Sequence, residues 1–308
     1  MRVIGDELAA TVLPSLAPRR RDHDPRRPVL DVLALDSLVA GRHPPAPPWG
    51  RDAYAPRDEL VGTDGVAADI TYSLLSAALA VRRHHDGRAV WWCADGRDLP
   101  RWEAASPFRS IVHGALADAG RHLVHAAAIA HGGRAALLSG PSGAGKSTTA
   151  LACLDAGLAH LADDTAVVSG PPWSVHPVYA YAKVTEHAGA TLVPHHAASA
   201  VNERRPAGEK HLVDLAAQHA AGPGDAVPLA ALLFPHVTGT DRPAARPLRP
   251  IEAMRLLAPA SVVPLAHGAS VTMAAIGDLG RGVRAWRLEI GPDLAAVAAA
   301  VAATLESA

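Results

Sequence analysis

The octapeptide Gly140-Pro-Ser-Gly-Ala-Gly-Lys-Ser147 constrains this chain more than any other stretch, because it satisfies G-x-x-x-x-G-K-[ST] at every fixed position. The apolar run from Ala135 to Leu138 before it reads as a buried strand. Thr148 to Ala156 after it reads as a helix that Gly157 can stop. A strand, a glycine-rich loop and a helix together form the context in which such a motif holds phosphate. Gly140, Gly143 and Gly145 let the backbone turn tightly, so that successive N–H groups can converge on phosphate oxygens. The helix N-terminus adds partial positive charge at the same place. Lys146 is expected at the β- and γ-phosphates of a nucleotide, and the Ser147 hydroxyl on Mg²⁺. Pro141, Ser142, Ala144 and Thr148 complete the expected nucleotide-binding set. The competing reading is a glycine-rich loop that only caps a helix.

Lysine usage supports the phosphate reading. Of 29 basic residues only Lys146, Lys183 and Lys210 are lysines, and the rest are arginines. A chain so biased keeps lysine where a compact ammonium differs chemically from a planar guanidinium. Lys183 and Lys210 are therefore candidates for the same nucleotide site, with ordinary surface positions as the alternative. A formal net charge of −1 supplies no global field to attract nucleic acid. Cys93 and Cys153 have neither disulfide-framework nor zinc-site spacing, which fits a reducing compartment. Asp6 and Glu7 precede any apolar run, so no secretory signal is expected. Leu294 to Ala303 is too short for a membrane span. The expectation is a cytoplasmic protein with no membrane or nucleic-acid partner.

Two regions are expected: residues 1–105, with a role in substrate or partner recognition, and residues 106–308, carrying the nucleotide site. The first holds the mixed-charge run Arg19-Arg-Arg21, Asp22, Asp24 and Arg26-Arg27, and the proline-rich Pro44-Pro-Ala-Pro-Pro48. Ile70 to Val81 has helical apolar spacing, and Ala89 to Cys93 looks like a short buried strand with Trp91 and Trp92 in a core. From Pro107 the pattern predicts a helix over 108–119 and strands over 123–130 and 134–139. Further strands are expected over 161–168, 175–181, 229–234 and 283–290. Helices are expected over 251–257 and 292–305, and a polar irregular segment with Arg204 and Arg205 over 185–212.

Asp163 and Asp164 follow Leu161-Ala162 at the end of one such strand. Adjacent carboxylates at a buried strand end need a cation or hydrogen bonds, and strand alternation should make them diverge. One could approach Mg²⁺ while the other faces an incoming hydroxyl; both could also be the polar mouth of a strand.

Leu123-Val-His125, the strand into Gly140–Ser147 and Leu161-Ala-Asp-Asp164 together resemble the core of the HPr kinase family. The resemblance is specific over about residues 120–185 and fainter beyond, for example at Lys210-His-Leu-Val-Asp214. It implies an α/β fold with a P-loop mixed-sheet core like that of phosphoenolpyruvate carboxykinase, beside a smaller N-terminal α+β region. It also implies ATP and Mg²⁺ as cofactors and catalytic roles for Asp163, Asp164, His125 and Lys146. Asp163 would take the proton of an acceptor serine, and Asp164 would stand with Ser147 near the metal, though the two roles could be exchanged. His125 would support the phosphate or the acidic pair, or be a hydrogen-bonded strand residue. Thr148 replaces the glutamate that usually follows the P-loop serine, and the segment Leu-Glu-Val-Arg-Gly-Leu-Gly is absent. Action on HPr itself is therefore not implied, and homo-oligomerisation is left open. The family's divergent relatives include kinases of ribosomal peptide precursors such as those of lasso peptides. The expectation is a kinase acting on a serine of a peptide or protein; a nucleotide-binding switch and a small-molecule kinase are the alternatives.

Overall fold

The structure, a computed structural model, describes residues 1–19, 30–44, 50, 52, 67–202, 208–215, 226–262 and 269–308. Arg20, Arg21, Asp22, Asp24, Arg26, Arg27, Pro45–Pro48, Arg204 and Arg205 lie outside the described residues.

The N-terminal part contains β1 (Arg2–Ile4), α1 (Asp6–Val12), β2 (Asp31–Asp36), α2 (Ser37–Ala40), β3 (Ala68–Ser73), β4 (Ala78–Arg83) and β5 (Arg88–Cys93). The short helix α3 (Arg101–Ala105) and then α4 (Arg109–Asp118) follow. The strands form one sheet in the order β1-β2-β5-β4-β3, parallel across β1, β2 and β5 and antiparallel beyond. Inward residues Val32, Ala34, Ala80, Ala89 and Trp91 pack with Leu8 and Val12 of α1 and with Phe108 and Ile111 at α4. The Trp91 and Phe108 rings meet edge to face with centroids 5.4 Å apart.

The expected helix over 70–81 is instead the β3–β4 hairpin. Burial alternates residue by residue along β4 and over the second half of β3, from Ile70 to Ser73, the period of a half-buried strand. Ala77 at φ 43° turns the chain between them. The expected boundary at 105/106 falls before α4, which packs with the N-terminal sheet.

The larger unit contains β6 (Arg121–Val124), β7 (Ala126–His131), β8 (Arg134–Ser139), α5 (Lys146–Asp155), β9 (Ala159–Ala162), β10 (Ala166–Ser169) and β11 (Ser174–His176). It continues through β12 (Tyr181–Val184), α6 (Glu186–Thr191), α7 (Pro194–Ala198), β13 (His211–Asp214) and β14 (Val227–Val237). It closes with β15 (Ala244–Leu248), α8 (Pro250–Val262), α9 (Ala269–Gly282), β16 (Arg284–Ile290) and α10 (Leu294–Ser307). The main sheet is mixed, with order β6-β10-β11-β14-β8-β7-β9, and β16 and β15 extend it beside β14.

At its centre β8, β14 and β16 run parallel. Both faces are covered, so these strands read as nearly continuous apolar runs. Leu137, Leu232 and Phe234 meet Leu257, Ile276 and Leu279 of α8 and α9 on one face. Leu138, Leu233 and Leu288 meet Ala150 and Cys153 of α5 and Val297 and Val301 of α10 on the other. The segment over 185–200, expected to be irregular, folds into α6 and α7. These pack with the β12–β13 pair around Val184, Val193 and Val213, against Leu151 of α5.

The expected strands over 123–130, 161–168 and 175–181 are each interrupted. β6 and β7 break at His125, and β9 and β10 break at Asp163–Thr165. Val124 pairs with Ala166, and Ala128 with Ala162, so the two breaks face each other. β11 and β12 belong to different sheets.

Arg82 is buried and bonds Asp69 on β3 (Nε–Oδ2 2.9 Å) and Asp118 on α4 (2.6 Å), tying the hairpin to the helix. Removing one partner of a buried pair costs about 3–5 kcal/mol. Since Asp118 remains, Asp69→Ala should cost roughly 2–4 kcal/mol in urea unfolding. Asp278→Ala, which breaks an exposed pair with Arg281, should change little. Equal effects would show that Arg82 is not the brace.

Candidate phosphate-binding site

The loop after β8 turns through Gly140, Gly143 and Gly145, all at positive φ, and α5 begins at Lys146. No side chain caps that helix, so its first N–H groups are left for a ligand. The backbone at Gly145 favours glycine. Its φ is 96°, and a Cβ there would lie 2.6 Å from Cδ1 of Ile290.

A cavity of about 650 Å³ opens over this loop, at the C-terminal ends of the parallel strands, where open α/β sheets bind ligands. Ser142, Gly143, Gly145, Lys146, Ser147 and Thr148 line it, together with His125, Asp164, Lys183 and Lys210. All three lysines of the chain thus converge on one space. Asn202, itself buried, positions the last of them. Its amide donates to the Lys210 carbonyl (2.9 Å) and accepts from Leu212 N–H (2.7 Å). Pro141 contributes its carbonyl, and Gly140 and Ala144 form the turn beneath.

Lys146 donates to the carbonyls of Gly140 (2.8 Å) and Pro141 (3.1 Å). Burial lowers its pKa, against the pull of Asp163 and Asp164. The ammonium therefore rests on weak neutral acceptors, which phosphate oxygens would outcompete.

Asp163 and Asp164 do not alternate across a strand as expected. A tight three-residue turn, with Thr165 N–H on the Asp163 carbonyl at 2.6 Å, places Asp164 at φ 62°. Both carboxylates then converge on Lys183. Its main-chain N–H donates to Oδ2 of Asp163 (2.8 Å) and its Nζ to Oδ2 of Asp164 (2.8 Å).

Their environments differ. Asp163 is 2% exposed, and burial, then the charge of Asp164, push its pKa up. The Ser147 hydroxyl approaches this carboxylate, while Oδ1 is buried without a hydrogen-bond partner. Asp164 reaches the cavity. Burial opposes its charge too, but Lys183 and His125 win and hold it well below the usual carboxylate range.

His125 occupies the facing strand break. Its N–H donates to Ser261 Oγ (3.2 Å) and its carbonyl accepts from Ser139 (3.4 Å), replacing lost ladder bonds. Its Nδ1 lies 2.7 Å from the Asp164 carbonyl, which can only accept, so Nδ1 carries a proton. Burial lowers the pKa of the ring, against the Asp164 charge.

An orphaned buried carboxylate oxygen beside the P-loop hydroxyl fits a hard divalent cation held by Ser147 and Asp163. Asp164, the carboxylate expected near the metal, is paired with Lys183 at the cavity wall.

Sequence reasoning missed the apolar side of the cavity: Leu192 just after α6, Val237, Ile290, and Leu294 and Val297 of α10. The alternation in 283–290 could have flagged Ile290 as a strand end, but its meeting with the loop is long-range.

No family model matches this sequence, and no curated protein matches it. Among solved structures it is similar to the Hpr(Ser) kinase/phosphatase from Coxiella burnetii, at 9% identity and a TM-score of 0.32. The match covers 60% of this chain and 96% of that one. The likeness is distant. Among the described residues no helix is long and apolar enough to cross a membrane.

Because the pKa of Asp163 is raised on folding, its ionisation opposes the ligand-free fold as pH rises above the ordinary carboxylate range near 3.8. Asp163→Asn removes that penalty. The variant should have a higher Tm than the parent at pH 7 without nucleotide, the gain fading towards pH 4. A lower Tm at pH 7 would show that the carboxylate is needed for folding.

Proposed function

We propose that this chain is an ATP- and Mg²⁺-dependent kinase that transfers the γ-phosphoryl group to the serine hydroxyl of a peptide or protein. One observation carries the reading. Every lysine in the chain lines a single cavity with a P-loop and a carboxylate.

In this reading Lys146 leaves the loop carbonyls for the β- and γ-phosphate oxygens, and the uncapped start of α5 receives the phosphates. Ser147 and Asp163 would hold Mg²⁺, which supplies charge neutralisation to the phosphate oxygens. Lys210 adds positive charge where the transferred group becomes more dispersed. Asp164 faces the acceptor and receives its proton, as the new oxygen–phosphorus bond forms and the bond to the departing ADP oxygen breaks. A carboxylate of low pKa serves here, since in a loose transition state the hydroxyl keeps its proton until late. Lys183 and the backbone contact of His125 orient Asp164.

This exchanges the two aspartate roles first expected. A general base must reach the proton it takes, so geometry precedes pKa in choosing it. Asp164 borders the cavity, and Asp163 lies beside Ser147. The N-terminal unit is the candidate for acceptor recognition, because it holds the strand bearing Lys183. Ala180 N–H donates to the Ser15 carbonyl (2.9 Å), and the Tyr179 hydroxyl to that of Pro107 (2.9 Å).

Lys146→Ala should lower γ-phosphoryl turnover more than about a hundredfold, the cost of one preorganised charge-stabilising group, in a folded protein. Unchanged turnover would overturn the assignment.

Asp164→Asn should retain MgATP affinity, followed by a fluorescent nucleotide, and lose transfer. Asp163→Asn should raise the Mg²⁺ concentration needed for half-maximal rate. The opposite pattern would restore the first assignment of roles. A parent protein that binds MgATP but never releases or transfers its γ-phosphoryl group, with peptides present, would point to a nucleotide-binding switch.

A further inference from the structure

A second cluster of ligating side chains lies outside the phosphate site, where the far end of the P-loop helix meets α7. Asp155 is the last residue of α5, and His195 and His196 sit in α7. His196 Nε2 is 2.9 Å from Asp155 Oδ1, and His195 Nε2 is 3.1 Å from both carboxylate oxygens. The three ligand atoms all lie within 4.8 Å of one another.

We propose that Asp155, His195 and His196 form a site for a divalent transition-metal ion of the Zn²⁺ type, which clamps the α6–α7 segment to the P-loop helix. The proposal does not depend on the phosphoryl-transfer reading.

Convergence is the first argument. Consecutive residues on a helix point about 100° apart. Yet the two rings approach to 4.2 Å between centroids, at 40°, and bring both Nε2 atoms to one carboxylate. Spacing is the second. Zinc bonds of about 2.0–2.2 Å to nitrogen and carboxylate oxygen put tetrahedral ligand atoms about 3.3–3.6 Å apart. The observed 2.9 and 3.1 Å therefore need only a few tenths of an ångström of opening.

Charge is the third. Asp155 stands in the last turn of α5, where the helix dipole disfavours a carboxylate, and that turn has no basic residue. A cation shared with two imidazoles compensates it.

The ligands are also disposed for loading. His196 is fixed, with a side chain 6% exposed, while His195 is 61% and Asp155 39% exposed. A neutral imidazole frees Nε2 by carrying its proton on Nδ1, so binding to the neutral rings releases no proton. Water completes the coordination. Two nitrogen donors select against Mg²⁺, which prefers oxygen.

The consequence reaches the cavity. Val184 at the end of β12, Ala188 of α6 and Leu192 just after it form part of its wall, and α7 begins at Pro194. A metal at Asp155 would fasten that wall to the helix whose other end receives phosphate.

The test is Zn²⁺ titration of the full-length, chelator-stripped protein by calorimetry, without nucleotide, with circular dichroism to verify folding. Because the chain has 17 histidines, the readout is the difference from variants. One equivalent should bind with submicromolar affinity. Asp155→Asn and His195→Ala should each weaken it at least tenfold. His85→Ala, removing an exposed histidine elsewhere, should leave it unchanged, and millimolar Mg²⁺ should not displace it.

The proposal is overturned if the folded variants bind Zn²⁺ as the parent does, or if the parent binds none. Displacement by Mg²⁺ would overturn the nitrogen-ligated assignment. Loss of phosphoryl transfer with intact Zn²⁺ binding would sink the kinase reading alone.

Discussion

Lys183 holds the site together with two nitrogens. Its main-chain N–H fixes Asp163 and its ammonium fixes Asp164, each at 2.8 Å. Side by side, two carboxylates in a mostly buried turn would repel each other and lose hydration. One residue relieves both costs, and it comes from β12, a strand outside the main sheet. The rest of the site depends on this contact. It brings the α6 side of the cavity to the P-loop side, and it sorts the two acids. One becomes a buried carboxylate with an orphaned oxygen, the other a fixed anion at the cavity wall.

The main sheet prepares the ground by failing at one level. Had β6–β7 and β9–β10 been unbroken, His125 and the aspartates would have alternated across the sheet faces. The breaks face each other, and each has its own repair. Ser139 and Ser261 take up the backbone groups of His125, while the three-residue turn closes on itself around Asp164. Positive φ at an aspartate is uncommon for a side-chain-bearing residue, and such backbone persists where its surroundings over-determine it. The His125 ring on the Asp164 carbonyl and the Lys183 bond together supply that restraint.

Much of this was legible in the sequence where the information is local. The phosphate loop is read from eight consecutive residues and their flanks, and the three scarce lysines signalled a shared role through composition. Other features depend on contacts far along the chain. Residues 70–81 fit a helical spacing, but they form a hairpin because β4 finds β5 and α4 covers it. The polarity of 185–200 suggested a loop; Val184, Val193 and Val213 meeting Leu151 make it helical. The roles of the acidic pair could not be divided from strand periodicity, since the turn that reorients them breaks that period. The apolar wall and the Asp155–His195–His196 cluster were invisible for the same reason: each joins elements distant in sequence.

The central claim of the proposed function is that this cavity reads phosphate charge, with Lys146, Lys210 and the start of α5 as its receptors. Charge-assisted hydrogen bonds contribute about 1.5–3 kcal/mol each, or roughly tenfold to more than a hundredfold in affinity. Calorimetric titration of the folded protein with ATP, ADP, AMP and adenosine, at fixed Mg²⁺, measures this directly. The account predicts affinity falling by about tenfold or more as the γ- and then the β-phosphate is removed, with adenosine weakest. Equal affinity for all four, or no binding of ATP, would contradict it.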